Sequence, residues 1–174
     1  MLERRWWKAP SRLRHSRGFG IHSPFAYDLL MNTLREPSAY YIYDIINTMP
    51  TAWRGDLRLL VRLISRLRPE SFRAAGTIAP TAGRVAVLTD SAIVVDSANP
   101  DMLVIGDSAV ITPAEAVNCF ERGGTVLVFD VQASLSVAQA IVDMHNYGMT
   151  FCNGRTLIAV GRRDLPRQHF ELYF

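Results

Sequence analysis

Two aspartates stand where an α/β sheet could use them. Asp107 and Asp130 each follow a short apolar run, Met102–Ile105 and Thr125–Phe129. If those runs are buried strands, both acids leave the sheet at its C-terminal edge, where open α/β sheets hold their ligands. Carboxylates there are candidates for proton transfer or for orienting a polar substrate group. They also fit a plainer reading, as solvated loop acids. Other chemistry is less well supported. His15, His22, His145 and His169 have no metal-ligand spacing with one another or with Cys119 and Cys152, so no metal site is expected. His22 precedes a proline-started helix and reads as a hydrogen-bonding residue that fixes how the chain enters it. Gly18 and Gly20 flank Phe19 with no strand before them, a weak phosphate cradle. Cys119 falls in a helical stretch and reads as a small core residue. No serine sits in a G-x-S-x-G elbow.

The elements that must position Asp107 and Asp130 follow from pattern. Thr112-Pro113-Ala114-Glu115 is a capping box with proline at the first helical position, and it starts a helix over 113–122 that ends at Gly123-Gly124. A second helix starts near Ser134, carries Leu135, Ala138, Ile141 and Val142 on one face, and ends at Gly148. Apolar runs read as strands at Arg84–Leu88, Ala92–Asp96, Met102–Ile105, Thr125–Phe129 and Thr156–Val160, with a terminal strand over His169–Phe174. Alternation of strand and helix after Met102 predicts parallel pairing with right-handed crossovers. The first third is helical instead. Ser23-Pro24 starts a helix to about Arg35, a short helix covers Tyr41–Asn47, and an amphipathic helix runs from Gly55 to Leu67, closed by Pro69. Its apolar face is Leu57, Leu60, Leu63, Ile64 and Leu67. Arg54, Arg58, Arg62 and Arg66 line the other face and read as solvated.

A chain of 174 residues, 49% hydrophobic and 20% charged, suits one self-sufficient domain. Residues 1–20 form a basic, aromatic arm, with six arginines and lysines against Glu3 alone. The rest is slightly acidic, although the net charge is +3. Such an arm can touch phosphate backbones, and it can equally be a solvated tail. The expected organisation is that arm, then one α/β domain over 21–174: a helical lead-in to residue 69, and a sheet with two crossover helices from residue 70. No apolar run is long enough to span a membrane, no secretory leader is visible, and two cysteines suggest reduced thiols, so a cytoplasmic location is expected.

Both ends of the chain carry a resemblance. Gly20-Ile21-His22-Ser23-Pro24-Phe25-Ala26-Tyr27-Asp28-Leu29 resembles the N-terminal signature of a bacterial subgroup of class I S-adenosylmethionine-dependent methyltransferases. Pro166-Arg167-Gln168-His169-Phe170-Glu171-Leu172 resembles that subgroup's last strand. The resemblance implies a Rossmann-like, methyltransferase-type sheet. It implies a cofactor turn after the first strand at Phe72–Thr77, in which Gly76 and Thr77 match while Ala74 stands where a glutamate is usual. It implies Asp90 near the acid that holds the ribose, offset by one, and Asp107 and Asp130 near the acceptor. Gly106, Val131 and Ala133 occupy positions where the family carries other groups.

Connection lengths then suggest a truncated sheet, mixed parallel and antiparallel. Eight residues separate Ala75 from Arg84 and three separate Leu88 from Ala92, too few for the dozen or more that a parallel crossover needs. On this reading the early crossover helices are missing and S-adenosylmethionine loses its crevice. The favoured function is a degenerate, non-catalytic methyltransferase-like protein, without cofactor, working as a homo-oligomer or with an intact methyltransferase relative. Two alternatives stay open. One is a small active methyltransferase using Gly76, Thr77 and Asp90 for S-adenosylmethionine and Asp107 or Asp130 at the acceptor. The other is a nucleic-acid-associated protein using the basic arm.

Overall fold

A computed structural model of the chain describes residues 21–107, 109–144 and 146–174. The basic arm, His15 and His145 lie outside them.

Three helices lead in. Helix α1, Pro24–Leu29, begins as its sequence dictates: Ser23 is the N-cap, its hydroxyl accepts the Ala26 N–H, and Pro24 fills the first turn. It continues as a π-helical turn over Leu30–Leu34. Helix α2 is Ile42–Thr48 and α3 is Arg54–Leu67. Of the α3 arginines, Arg54 and Arg66 are exposed as expected and Arg58 and Arg62 are half-buried, and all four also bind neighbouring segments. Arg54 donates to the Met49 carbonyl, Arg58 to Asn47, Arg62 to the Glu36 carbonyl, and Arg66 pairs with Asp28. The stripe clamps α1, α2 and their connections onto α3, because those segments bring carbonyls and a carboxylate within reach of the guanidinium groups.

The sheet follows. Strand β1 is Phe72–Ala75, then come helix α4 (Ala79–Thr89), β2 (Met102–Ile105), α5 (Pro113–Glu121), β3 (Thr125–Val128) and α6 (Leu135–Met144). Strands β4 (Met149–Cys152), β5 (Leu157–Val160) and β6 (Gln168–Glu171) complete it. The order is β1-β2-β3-β5-β4-β6. The first three strands are parallel, β5 is antiparallel to both β3 and β4, and β6 is parallel to β4. The mixed, Rossmann-like α/β sheet therefore agrees with expectation. Strand β4 is additional to the strands expected. It forms a hairpin with β5 across a turn in which the Asn153 carboxamide accepts the Arg155 and Thr156 N–H groups.

Residues 84–88 are not a strand, and no hairpin follows them. They are the second half of α4, so one early crossover helix is present and three helices, not two, lie among the strands. The buried residues Ala82, Val85 and Ala86 have helical spacing. Exposed Val87 and Leu88 fill out the apolar run and hide that period. Pro80 costs nothing here because the first turn has no N–H partner to lose. Of Ala92–Asp96 only Val94 pairs, in a single parallel bridge to Ser71, and Asp96 turns the chain away at a φ of 57°.

Helices α1–α4 cover one face of the sheet, packing on Phe72, Met102, Val104, Leu127, Phe151 and Ile158. Helices α5 and α6 cover the other, packing on Leu103, Ile105, Val126, Val128 and Leu157. Strands β2 to β5 are buried throughout, as uninterrupted apolar strands should be. The steps β1 to β2 and β2 to β3 run the same way across the sheet, yet α4 and α5 lie on opposite faces. A right-handed crossover can satisfy only one of these directly. The chain reconciles them by passing after α4 to the outer edge of β1, where Val94 bridges Ser71 and its carbonyl accepts the Phe72 N–H at 2.8 Å, before it returns to β2. The winding reverses between β1 and β2.

Candidate functional site

A reversal of winding opens a crevice at the C-terminal ends of the two strands concerned. Here those ends are Ala75-Gly76-Thr77 and Gly106-Asp107. The structure brings Gly76, Thr77 and Asp107 together at this point, and the two turns lie directly against each other. Gly76 has a φ of +89°, and a Cβ built on it would stand 2.2 Å from the Asp107 backbone oxygen. A Cβ on Gly106 would stand 2.7 Å from Cγ2 of Ile78. The Thr77 N–H approaches the Asp107 carbonyl at 3.4 Å, and the Thr77 hydroxyl donates to the Asp107 carboxylate. From α3, the Trp53 indole N–H donates to the Thr77 hydroxyl at 3.3 Å.

Beside this junction sits a charged pair that the residue pattern does not single out. Asp56, in the first turn of α3, is buried and accepts from the Arg155 guanidinium at 2.7 Å. Arg155 comes from the β4–β5 turn, and its guanidinium lies 5.9 Å from the centre of the Trp53 ring. Burial pushes the Asp56 carboxyl above its ordinary range, opposed by the Arg155 charge and hydrogen bond. One sequence signal marks Asp56: it lies four residues before Leu60 and seven before Leu63, on the apolar face of α3. Nothing local marks Arg155, whose partner is 99 residues away.

Asp130 reaches the same end of the sheet, one strand further along, but its carboxylate is engaged. Oδ1 accepts the Gln132 and Ala133 N–H groups, each at 3.1 Å, and thereby shapes the turn into α6. Asp90 is elsewhere. It caps the C-terminus of α4, which starts beside Gly76 and runs away from it, so the helix length of about 16 Å separates them. Its Oδ1 accepts the Ala92 N–H. The candidate cofactor set Gly76, Thr77 and Asp90 is thus divided between the two ends of α4. His22 is exposed and makes no hydrogen bond among the described residues. His169 pairs with the Thr150 hydroxyl at 2.7 Å. Among the described residues no three His, Cys, Asp or Glu side chains gather as metal ligands.

A cleft of about 390 Å³ opens at the opposite, N-terminal edge of the sheet, lined by Arg68, Glu70, Asp101, Thr125, Val160 and Arg162 among others. It contains none of the candidate site residues. No described helix is long and apolar enough to cross a membrane. The chain matches no protein-family model and no curated protein.

Proposed function

We propose that this chain is a shortened, methyltransferase-like α/β protein that does not transfer methyl groups and acts by associating with another chain, a second copy or an intact relative. The observation that carries the reading is the closed junction between the turns after β1 and β2. In a cofactor cradle a glycine leaves room for the ligand. At Gly76 the room is taken by the protein's own Asp107 backbone, at a separation where not even a methyl group would fit. The residues present do not fit S-adenosylmethionine in two further respects. Ala74 supplies no carboxylate where the resemblance calls for one, and Asp90 stands at the far end of α4. The reading does not depend on a missing crossover helix, since α4 is present.

The second reading, a small active methyltransferase, is favoured by the gathering of Gly76, Thr77, Asp107 and Asp130 at one end of the sheet. The nucleic-acid reading rests on residues 1–20, outside the described residues. Isothermal titration with S-adenosylmethionine and with S-adenosylhomocysteine separates the first two. The closed junction predicts no saturable heat, and saturable binding with a micromolar constant overturns the proposal in favour of the enzyme.

A further inference from the structure

Nine large apolar side chains are exposed among the described residues; four of them, Val87, Leu88, Val94 and Val95, fall within nine residues spanning the end of α4 and the segment after it, and a fifth, Tyr41, bonds to that helix end. Val87 and Leu88 lie in the last turns of α4, and Val94 and Val95 in the segment that follows it. The Tyr41 hydroxyl joins them by donating to the Leu88 carbonyl at 3.2 Å. Tyr41 is 74% exposed and Val94 62%. The other four, Tyr27, Val110, Leu135 and Tyr173, sit apart on separate elements. A clustered apolar corner of this kind marks a contact surface, whereas single exposed residues do not.

Two features of α4 indicate what covers it. First, the charges beside the corner are self-complementary. Arg84 precedes Val87 by three residues and Asp90 follows it by three, and both are exposed. Arg84 makes no ion pair among the described residues. One Asp90 oxygen accepts the Ala92 N–H, while the other is unbonded among them. If two α4 helices pair antiparallel about a two-fold axis through Val87, Arg84 of each meets Asp90 of the other. A two-fold interface demands that kind of pattern, in which residue i meets j and j meets i. Second, Gly83 interrupts the middle of the helix although a Cβ there would meet no atom within 4 Å. Glycine inside a helix is unfavourable and needs a packing reason. No described residue supplies one, and without a side chain at Gly83 a second helix can approach this stretch closely.

We propose that α4 and the Tyr41 and Val94–Val95 surface beside it form a symmetric dimer interface with a second copy of this chain. This specifies the association half of the proposed function and leaves the cofactor half untouched. Light scattering tests the one and ligand titration the other, so the two fail separately.

The test is light scattering on the full chain at low micromolar concentration. A particle of twice 19.5 kDa is expected, and a monomer overturns the proposal. Arg84→Asp and Asp90→Arg should each give monomers that retain the circular dichroism of the wild type, because each sets like charges against each other twice. Mixing the two variants in equal amounts should restore the dimer, since both contacts of the mixed pair then join an acid to an arginine. Val87→Arg should also give a folded monomer. A dimer that survives Val87→Arg, or variants that stay monomeric on mixing, overturns the two-fold placement.

Discussion

The closed junction at β1 and β2 can be tested through stability alone with Gly76→Ala. Two costs add. At a φ of +89° an L-residue is strained by about 1–2 kcal/mol. The new methyl would also stand 2.2 Å from the Asp107 oxygen, 3.2 Å from the Gly106 carbonyl carbon and 3.3 Å from the Ala109 Cβ. Two of these three atoms are backbone and cannot swing aside, so the turns must separate, at about 1–3 kcal/mol by the cost of overpacking. The sum is about 2–5 kcal/mol. In a chain of this length that lowers Tm by roughly 4–20 °C, at about 2–4 °C per kcal/mol. The assay is thermal unfolding followed by circular dichroism, with Gly55→Ala as control. Gly55 lies in the first turn of α3, and its Cβ would meet nothing within 4 Å, so that variant should be unchanged or slightly more stable. If Gly76→Ala melts within about 1 °C of the wild type, the turns are not packed against each other. Gly76 then has space beside it that a ligand could occupy, whatever the titration shows.

Arg155→Ala should cost about 1–2 kcal/mol in urea unfolding. That is less than the several kcal/mol lost when a fully buried pair is broken, because Arg155 is 63% exposed and solvent screens it. Asp56 should also leave a pH signature. Its folded-state pKa is raised above the unfolded value of 3.8, so the native state holds the proton longer, and this residue's contribution to stability worsens as pH rises from 3.8 through the raised value. Asp56→Asn should remove that downward slope from the urea midpoint measured across this window, and an unchanged slope refutes it. Thr112→Ala removes the reciprocal capping box at the start of α5 and should lower stability by about 1 kcal/mol, or roughly 2–4 °C. Burial pushes the Cys119 thiol up to about 11, so at neutral pH it is protonated as well as enclosed. A thiol reagent should label it only at the rate of unfolding, and prompt labelling of the native protein refutes this.

Much of the scaffold was legible because the signals were local. Ser23-Pro24 and Thr112-Pro113-Ala114-Glu115 set helix starts through hydrogen bonds to atoms three residues away. The runs at 102–105, 125–128 and 157–160 specified buried strands because each is apolar on both faces. Residues 84–88 misled for a physical reason. Val87 and Leu88 are apolar but solvent-facing in the single chain, so the helical period of Ala82, Val85 and Ala86 disappears into an unbroken run. The residues that disguised the helix are the same ones proposed to bury themselves against a second copy.

The candidate site was only partly legible. That Asp107 and Asp130 would leave the sheet at one edge followed from their place after buried strands. Whether that edge is open was a matter of contacts between residues about 30 apart, Gly76 and Thr77 with Gly106 and Asp107, and of the pair Asp56 and Arg155 drawn from α3 and the β4–β5 turn. The residue types, the caps and the alternation that make an α/β sheet could be read along the chain, since these depend on sequence neighbours. The reversal of winding between β1 and β2, the close approach of the Asp107 backbone to Gly76 and the placement of Asp90 at the far end of α4 emerge only in the folded chain. Each depends on which segments the packed core brings together, and no local pattern carries that information.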